Sequence, residues 1–258
     1  MTLREIALGL LSGFAAGILS GAFGVGGGII TTPAISILLG APAIVAVATP
    51  LPVIFPSALV GAYTYSRALE VSFRAAKWAV GPGAVGAIIG AALTEIVNAH
   101  ALLLVTAVLL GAQAIRVIRG GEYEIRPRGS TPGMHYAIAG FAAGLVSGLL
   151  GVGGGIIMVP ILTTILGMPL KRALGTSLVI ISALVVPGTI VHALLGHIDW
   201  GIFLVLTIGV VPGARIGAKL ALRAEDRTLR LAVGLFLIAV AVLYTVEESS
   251  ALLGSRLG

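Results

Sequence analysis

The residues whose types and spacing offer chemistry cluster around two copies of one run: Gly24, Val25, Gly26, Gly27 and Gly28, then Gly151, Val152, Gly153, Gly154 and Gly155. Each run leads into a short apolar stretch that opens at Ile29 or Ile156, so free backbone N–H groups and the positive end of a helix dipole converge there. That arrangement suits an anion. Glycines also serve simply to let helices pack closely, so both uses are open. Hydroxyls stand nearby: Thr31 and Thr32 lie one turn on, and Thr49 has its counterpart in Thr176, followed by Ser177. They can donate to the same anion or bond back to their own helices. Arg215 is the one basic residue well inside an apolar stretch, where a cation marks a ligand site unless it snorkels to the nearby surface. His192 can relay a proton or merely pack.

The elements that position these residues follow from composition. Of 258 residues, 58% are hydrophobic and 10% charged, and the mean hydropathy is +1.12, outside the range of a water-soluble domain. Apolar stretches long enough to cross a bilayer follow one another, and the first reads as a true span rather than a removable signal. Segments such as 101–114 are apolar on every face, which excludes the alternation of a membrane β-barrel. With 37 Gly and 5% aromatics, helices must meet by close backbone approach. Zero Cys excludes disulfides, thiolate metal sites and thiol nucleophiles. No catalytic residue, metal site or cofactor is expected: the glycine run lacks the Lys-Ser/Thr tail of a phosphate loop, and no carboxylate pair or His-x-x-x-His is buried. The net charge of +6 reflects orientation in a bilayer, not nucleic acid.

Self-comparison shows a repeat. Gly13-Phe14-Ala15-Ala16-Gly17 returns as Gly140-Phe141-Ala142-Ala143-Gly144, Ser20-Gly21 as Ser147-Gly148, Pro33 as Pro160, and Leu39-Gly40-x-Pro42 as Leu166-Gly167-x-Pro169. Pro82-Gly83-Ala84 matches Pro212-Gly213-Ala214 after a small shift. Each half contains about five apolar segments, near 5–23, 28–40, 43–66, 78–97 and 100–118, then 134–150, 155–168, 173–196, 200–221 and 229–246. The second of each half is too short to span the hydrocarbon core, which places the glycines inside the membrane. Pro50, Pro52 and Pro56 predict a break or kink in the third segment, as Pro187 does in its equivalent. The organisation is a first membrane repeat at 1–118, a cytoplasmic linker at 119–133, a second repeat at 134–248 and a tail at 249–258.

Charge decides the direction of the halves. With five crossings each, Arg67, Arg74, Lys77, Arg116, Arg119, Arg126, Arg128, Lys171, Arg172, Lys219, Arg223, Arg227 and Arg230 share one side. Only Arg4 and Arg256 fall on the other, with Glu5, Glu95, Asp199, Glu247 and Glu248. An even count scatters the basic residues to both faces. The expected fold is therefore all-α: a polytopic helical bundle of two inverted repeats, both termini outside, with the glycine runs meeting near the midplane.

Gly21-Ala22-Phe23-Gly24-Val25-Gly26-Gly27-Gly28 followed by Pro33, its copy Gly148-Leu149-Leu150-Gly151-Val152-Gly153-Gly154-Gly155 followed by Pro160, and the Leu-Gly-x-Pro repeat resemble the TauE/SafE family of sulfite-exporter-like permeases over essentially the whole chain. That resemblance implies movement of small sulfur-containing anions such as sulfite, sulfoacetate or thiosulfate across the cytoplasmic membrane, mostly outward, driven by ion gradients. The expected partners are such an anion, the lipid bilayer and a coupling ion such as H+, with a monomeric or homodimeric protein and no nucleic acid. A passive anion channel, an uptake permease for the same substrates and a membrane scaffold without transport remain as alternatives.

Overall fold

The computed structural model describes residues 2–35, 39–93, 131–150 and 153–257, with Val108, Gly111, Ala114, Ile115 and Ile118 between them. Every regular element among these residues is helical. Lipid offers no partner to backbone polar groups, and a helix satisfies its own. The helices are α1 (Leu3–Phe23), α2 (Gly28–Pro33), α3 (Ala43–Ala48), α4 (Pro50–Arg67), α5 (Phe73–Leu93), α6 (Gly133–Leu150), α7 (Gly155–Pro160), α8 (Leu170–Leu194), α9 (Trp200–Arg223) and α10 (Asp226–Leu257). Among the described residues, four stretches are long and apolar enough to cross a bilayer: Leu3–Phe23, Ile44–Arg67, Leu170–Leu194 and Trp200–Arg223. The segment expected at 100–118 and the linker at 119–133 lie mostly outside the described residues. The last helix continues to Leu257, through the stretch set apart as a tail.

Equivalent positions are separated by 127 residues (24 to 151, 33 to 160, 49 to 176), and the local structure repeats at that spacing. After α2 and α7 the backbone widens into π-helical geometry, at Ala34–Ile35 and Ile161–Ile165. Leu39 N–H donates to the Ala34 carbonyl at 3.2 Å and Leu166 N–H to that of Ile161 at 3.0 Å; Ala41 to Ile35 and Met168 to Leu162 repeat the match at 3.2 and 2.9 Å. The Leu-Gly-x-Pro motif thus closes a wide turn and sets Pro42 and Pro169 at the start of the next helix. The expected proline effects divide. Pro50 lacks an N–H, and the helix breaks at Thr49 just before it; Ser177 stands in its place in the second half, and α8 runs unbroken there and on through Pro187.

Packing joins the halves in a reciprocal scheme. The first apolar segment of each half lies along the fourth of the other: α1 on α9, α6 on α5. Among the described residues these are the closest interfaces, because glycine faces backbone. Cβ atoms added to Gly13, Gly17 or Gly21 would strike Leu206, Val210 and Ala214, and one on Gly140 or Gly144 would strike Ala79 or Gly83. In a bilayer, where burial against lipid gives little preference, such close contact supplies the association energy. Contact numbers rise together along both pairs, so each pair is parallel. Between the equivalent helices α4 and α8 they run in opposite senses, Leu51 beside Gly188, Gly61 beside Leu178 and Tyr65 beside Gly175. That pair is antiparallel. One end of the bundle therefore collects Arg67, Lys171, Lys219 and Arg223, and Lys171 reaches Asp226 at 3.4 Å there.

Candidate functional site

Gly26 and Gly27 adopt φ values of 86° and 78°, and Gly153 and Gly154 of 85° and 69°. These left-handed conformations are open to glycine and strained for other residues, which is why the run is glycine-rich in both halves. They turn the chain so that Gly27 and Gly154 begin α2 and α7, with no side chain capping either helix. The described glycines of both runs are buried, and they meet. A Cβ on Gly155 would lie 2.6 Å from the Gly24 carbonyl oxygen and 2.7 Å from the Val25 Cα, so the second run rests directly on the first. Gly151 and Val152 lie outside the described residues.

Ile54 on α4 and Ile181 on α8 stand 127 residues apart and close the crossing. Their side chains would come within 3.0 and 3.3 Å of a Cβ on Gly26, and within 3.1 and 3.6 Å of one on Gly153. Both isoleucines are fully buried. The helix starts therefore face a centre of low polarity, where a fixed dipole acts more strongly on charge than it does in water.

The hydroxyls divide among other tasks. Thr31 bonds back to the Gly27 and Gly28 carbonyls at 3.3 and 3.4 Å, while Thr32 is half-buried. Ser177 donates to the Gly24 carbonyl at 2.9 Å, which ties α8 to the first glycine run. Thr49 accepts the Asp199 N–H at 3.1 Å, and Thr176 accepts the Ser72 N–H at 2.8 Å. Each threonine thus holds a loop of the other half, Thr49 the one that opens α9 and Thr176 the one that opens α5. The structure does not bring these two together: Tyr65 marks the level of Thr176 on α4, and the 16 residues from Thr49 to Tyr65 span roughly 24 Å of helix.

Arg215 is exposed in a groove between α4 and α9 and does not reach the buried glycines. The Nδ1 atom of His192, at the far end of α8, lies 3.2 Å from that of His197, so one ring donates to the other across the loop. Sequence reasoning passed over several contacts around the crossing. Ser57 donates to Ser20 at 2.8 Å, and the Tyr65 hydroxyl donates to the Gly21 carbonyl at 3.2 Å, all of them buried. The signal available was the repeat itself, since Ser20 and Gly21 belong to its matched stretch and Tyr65 is the equivalent of His192.

An all-helical bundle of apolar spans, with buried irregular backbone at the contact of its two halves, defines a polytopic membrane protein. Its sequence matches the family described as sulfite exporter TauE/SafE over residues 9–244. The chain belongs to that family, whose members are membrane transporters. It is 27% identical to the probable membrane transporter protein YunE of Bacillus subtilis over 255 residues, covering 88% of this chain and 93% of the relative. A probable membrane transporter protein of Xylella fastidiosa is also 27% identical, over 96% of this chain and 98% of its own. One from Methanocaldococcus jannaschii is 24% identical over 86% and 88% of the two chains. No solved structure gives a significant match.

Proposed function

We propose that this protein is a secondary transporter that moves a small sulfur-containing anion, such as sulfite, sulfoacetate or thiosulfate, out of the cell across the cytoplasmic membrane. The observation that carries the proposal is the direct contact of two equivalent glycine runs, each opening a short helix, at the buried centre of the bundle. The anion would sit against the N–H groups of Val25 to Gly28 and Gly151 to Gly155, the Gly24 N–H being given already to the Ser20 carbonyl at 2.9 Å, with the starts of α2 and α7 supplying partial positive charge from two directions. A tetrahedral oxyanion accepts from several directions at once, which suits it to two converging sets of donors.

Two inverted repeats give this centre an alternating-access mechanism. The antiparallel run of α4 against α8 supports inversion, since parallel halves would set equivalent helices parallel. The basic end then faces the cytoplasm, and both termini lie outside. Thr49 to Asp199 latches α4 to α9 at the outer end, and Thr176 to Ser72 latches α8 to α5 at the inner end. Releasing one latch while keeping the other would open one face at a time. His192, paired with His197 at the outer end, is the group placed to exchange a coupling proton with the exterior.

Reconstitution into liposomes tests this directly. Efflux of at least one labelled sulfur anion, accelerated by a proton gradient, is expected. Absence of flux for every member of a sulfite, thiosulfate and sulfonate panel would sink the substrate assignment. Flux indifferent to the gradient would make the protein a passive channel instead.

A further inference from the structure

We infer that the groove between α4 and α9 at the basic end holds an anionic phospholipid, its phosphate against Arg67, Arg215 and Lys219 and an acyl chain along Leu59, Val211 and Tyr63. The groove encloses about 1180 Å³, and no acidic residue lines it. Among the described residues, none of the three cationic side chains has an ion-pair or hydrogen-bond partner. Arg215 and Lys219 stand four residues apart on one helix, so their side chains share a face and repel each other unless an anion lies between them.

Orientation in the bilayer accounts for basic residues at helix ends, yet Arg215 lies eight residues before the end of α9 at Arg223, roughly 12 Å in. Nor do the cations belong to the repeat. The matching positions in the groove between α8 and α5 are Leu194 for Arg67, and Val85 and Ile89 for Arg215 and Lys219, by the 130-residue offset that joins Pro82 to Pro212. All three are exposed and apolar. Below the cations the walls are apolar and open sideways: Leu59 is 45% and Tyr63 65% exposed, at the depth of acyl chains. Charge that runs from the helix ends at Arg67 and Lys219 inward to Arg215, beside an apolar channel open to lipid, matches a phospholipid, whereas a free anion would need no channel. The inference uses the charge-based orientation proposed above but not the transport reading.

Thermal unfolding of the purified full-length chain in micelles tests it, with phosphatidylglycerol or phosphatidylcholine titrated in and sodium phosphate and sodium sulfite as soluble anions at matched concentration. Phosphatidylglycerol should stabilise the protein saturably, and the other three should not. Arg67→Gln, Arg215→Gln or Lys219→Gln should each weaken the lipid's apparent affinity roughly fivefold, and all three together on the order of a hundredfold. Arg215→Lys should retain it, and Arg223→Gln with Arg230→Gln, outside the groove, should leave it unchanged. Equal stabilisation by the two lipids, full stabilisation by a soluble anion alone, or undiminished affinity in the groove variants would each overturn the inference. Should the triple variant fail to fold, the wild-type titrations and the single variants decide. Since no flux is read, a protein that transports nothing leaves this result standing.

Discussion

Gly155→Ala addresses the centre of the molecule with a single methyl group. The backbone at Gly155 is helical and accepts alanine, so the substitution acts through space alone. A Cβ there stands 2.6 Å from the Gly24 carbonyl oxygen and 2.7 Å from the Val25 Cα, and it also meets Ile181 Cδ1. Restoring an ordinary contact of 3.4 Å requires the runs to part by 0.8 Å (3.4 − 2.6) and 0.7 Å (3.4 − 2.7). Two obstacles are backbone, and Gly24 is already held by Ser177, so neither can rotate away. Overpacking of this kind costs about 1–3 kcal/mol, offset by up to about 1 kcal/mol from the lower entropy of the unfolded chain. A net loss of about 1–2 kcal/mol lowers the ratio of folded to unfolded protein roughly five- to thirtyfold. Gly188→Ala is the control, because on α8 its Cβ would touch only Leu51 Cδ1 at 3.4 Å. Equilibrium unfolding in micelles should rank Gly155→Ala below the wild type and Gly188→Ala at or above it. Anion flux per folded molecule should fall in Gly155→Ala alone. Equal stability of Gly155→Ala and the wild type would refute the close contact of the runs, and normal flux in a destabilised variant would refute their role in binding.

Three further outcomes follow from hydrogen bonds elsewhere. Thr49→Val and Thr176→Val each leave a loop N–H without its acceptor, at about 1–3 kcal/mol, and Thr→Ser at either site should recover most of that in unfolding measurements. Because the sites are roughly 24 Å apart, the double variant should show the sum within about 0.5 kcal/mol. In the buried Ser20–Ser57 pair, either serine changed to alanine should destabilise more than both changed together, a non-additivity that a double-mutant cycle reads directly. Asp199 caps α9 by accepting the Ile202 N–H at 2.9 Å; Asp199→Ala should cost about 0.5–2 kcal/mol, while Asp199→Asn retains most of the cap.

The local sequence carried the all-helical bundle, the repeat and the short helices. Apolar length marks a membrane helix because lipid leaves the backbone no other partner; the left-handed turns at Gly26 and Gly27 came only with the structure. The break before Pro50 was legible, since a missing N–H is a property of one residue. What lies beside what was not legible. Thr49 and Thr176 look like a pair in the repeat, yet the antiparallel pairing of α4 with α8 sets them at opposite ends of the bundle, each bonded to a loop more than a hundred residues away. Arg215 reads as a lone cation in an apolar stretch, and only the packing of α9 on α4 brings Arg67 to the same groove. Ile54 and Ile181 are two among many apolar residues until the folded chain places both against the glycine runs. In a membrane, apolar side chains gain little by choosing one neighbour over another, so partner choice rests on how closely glycine-lined faces fit. That fit is a property of two surfaces, and it exists only once the halves have come together.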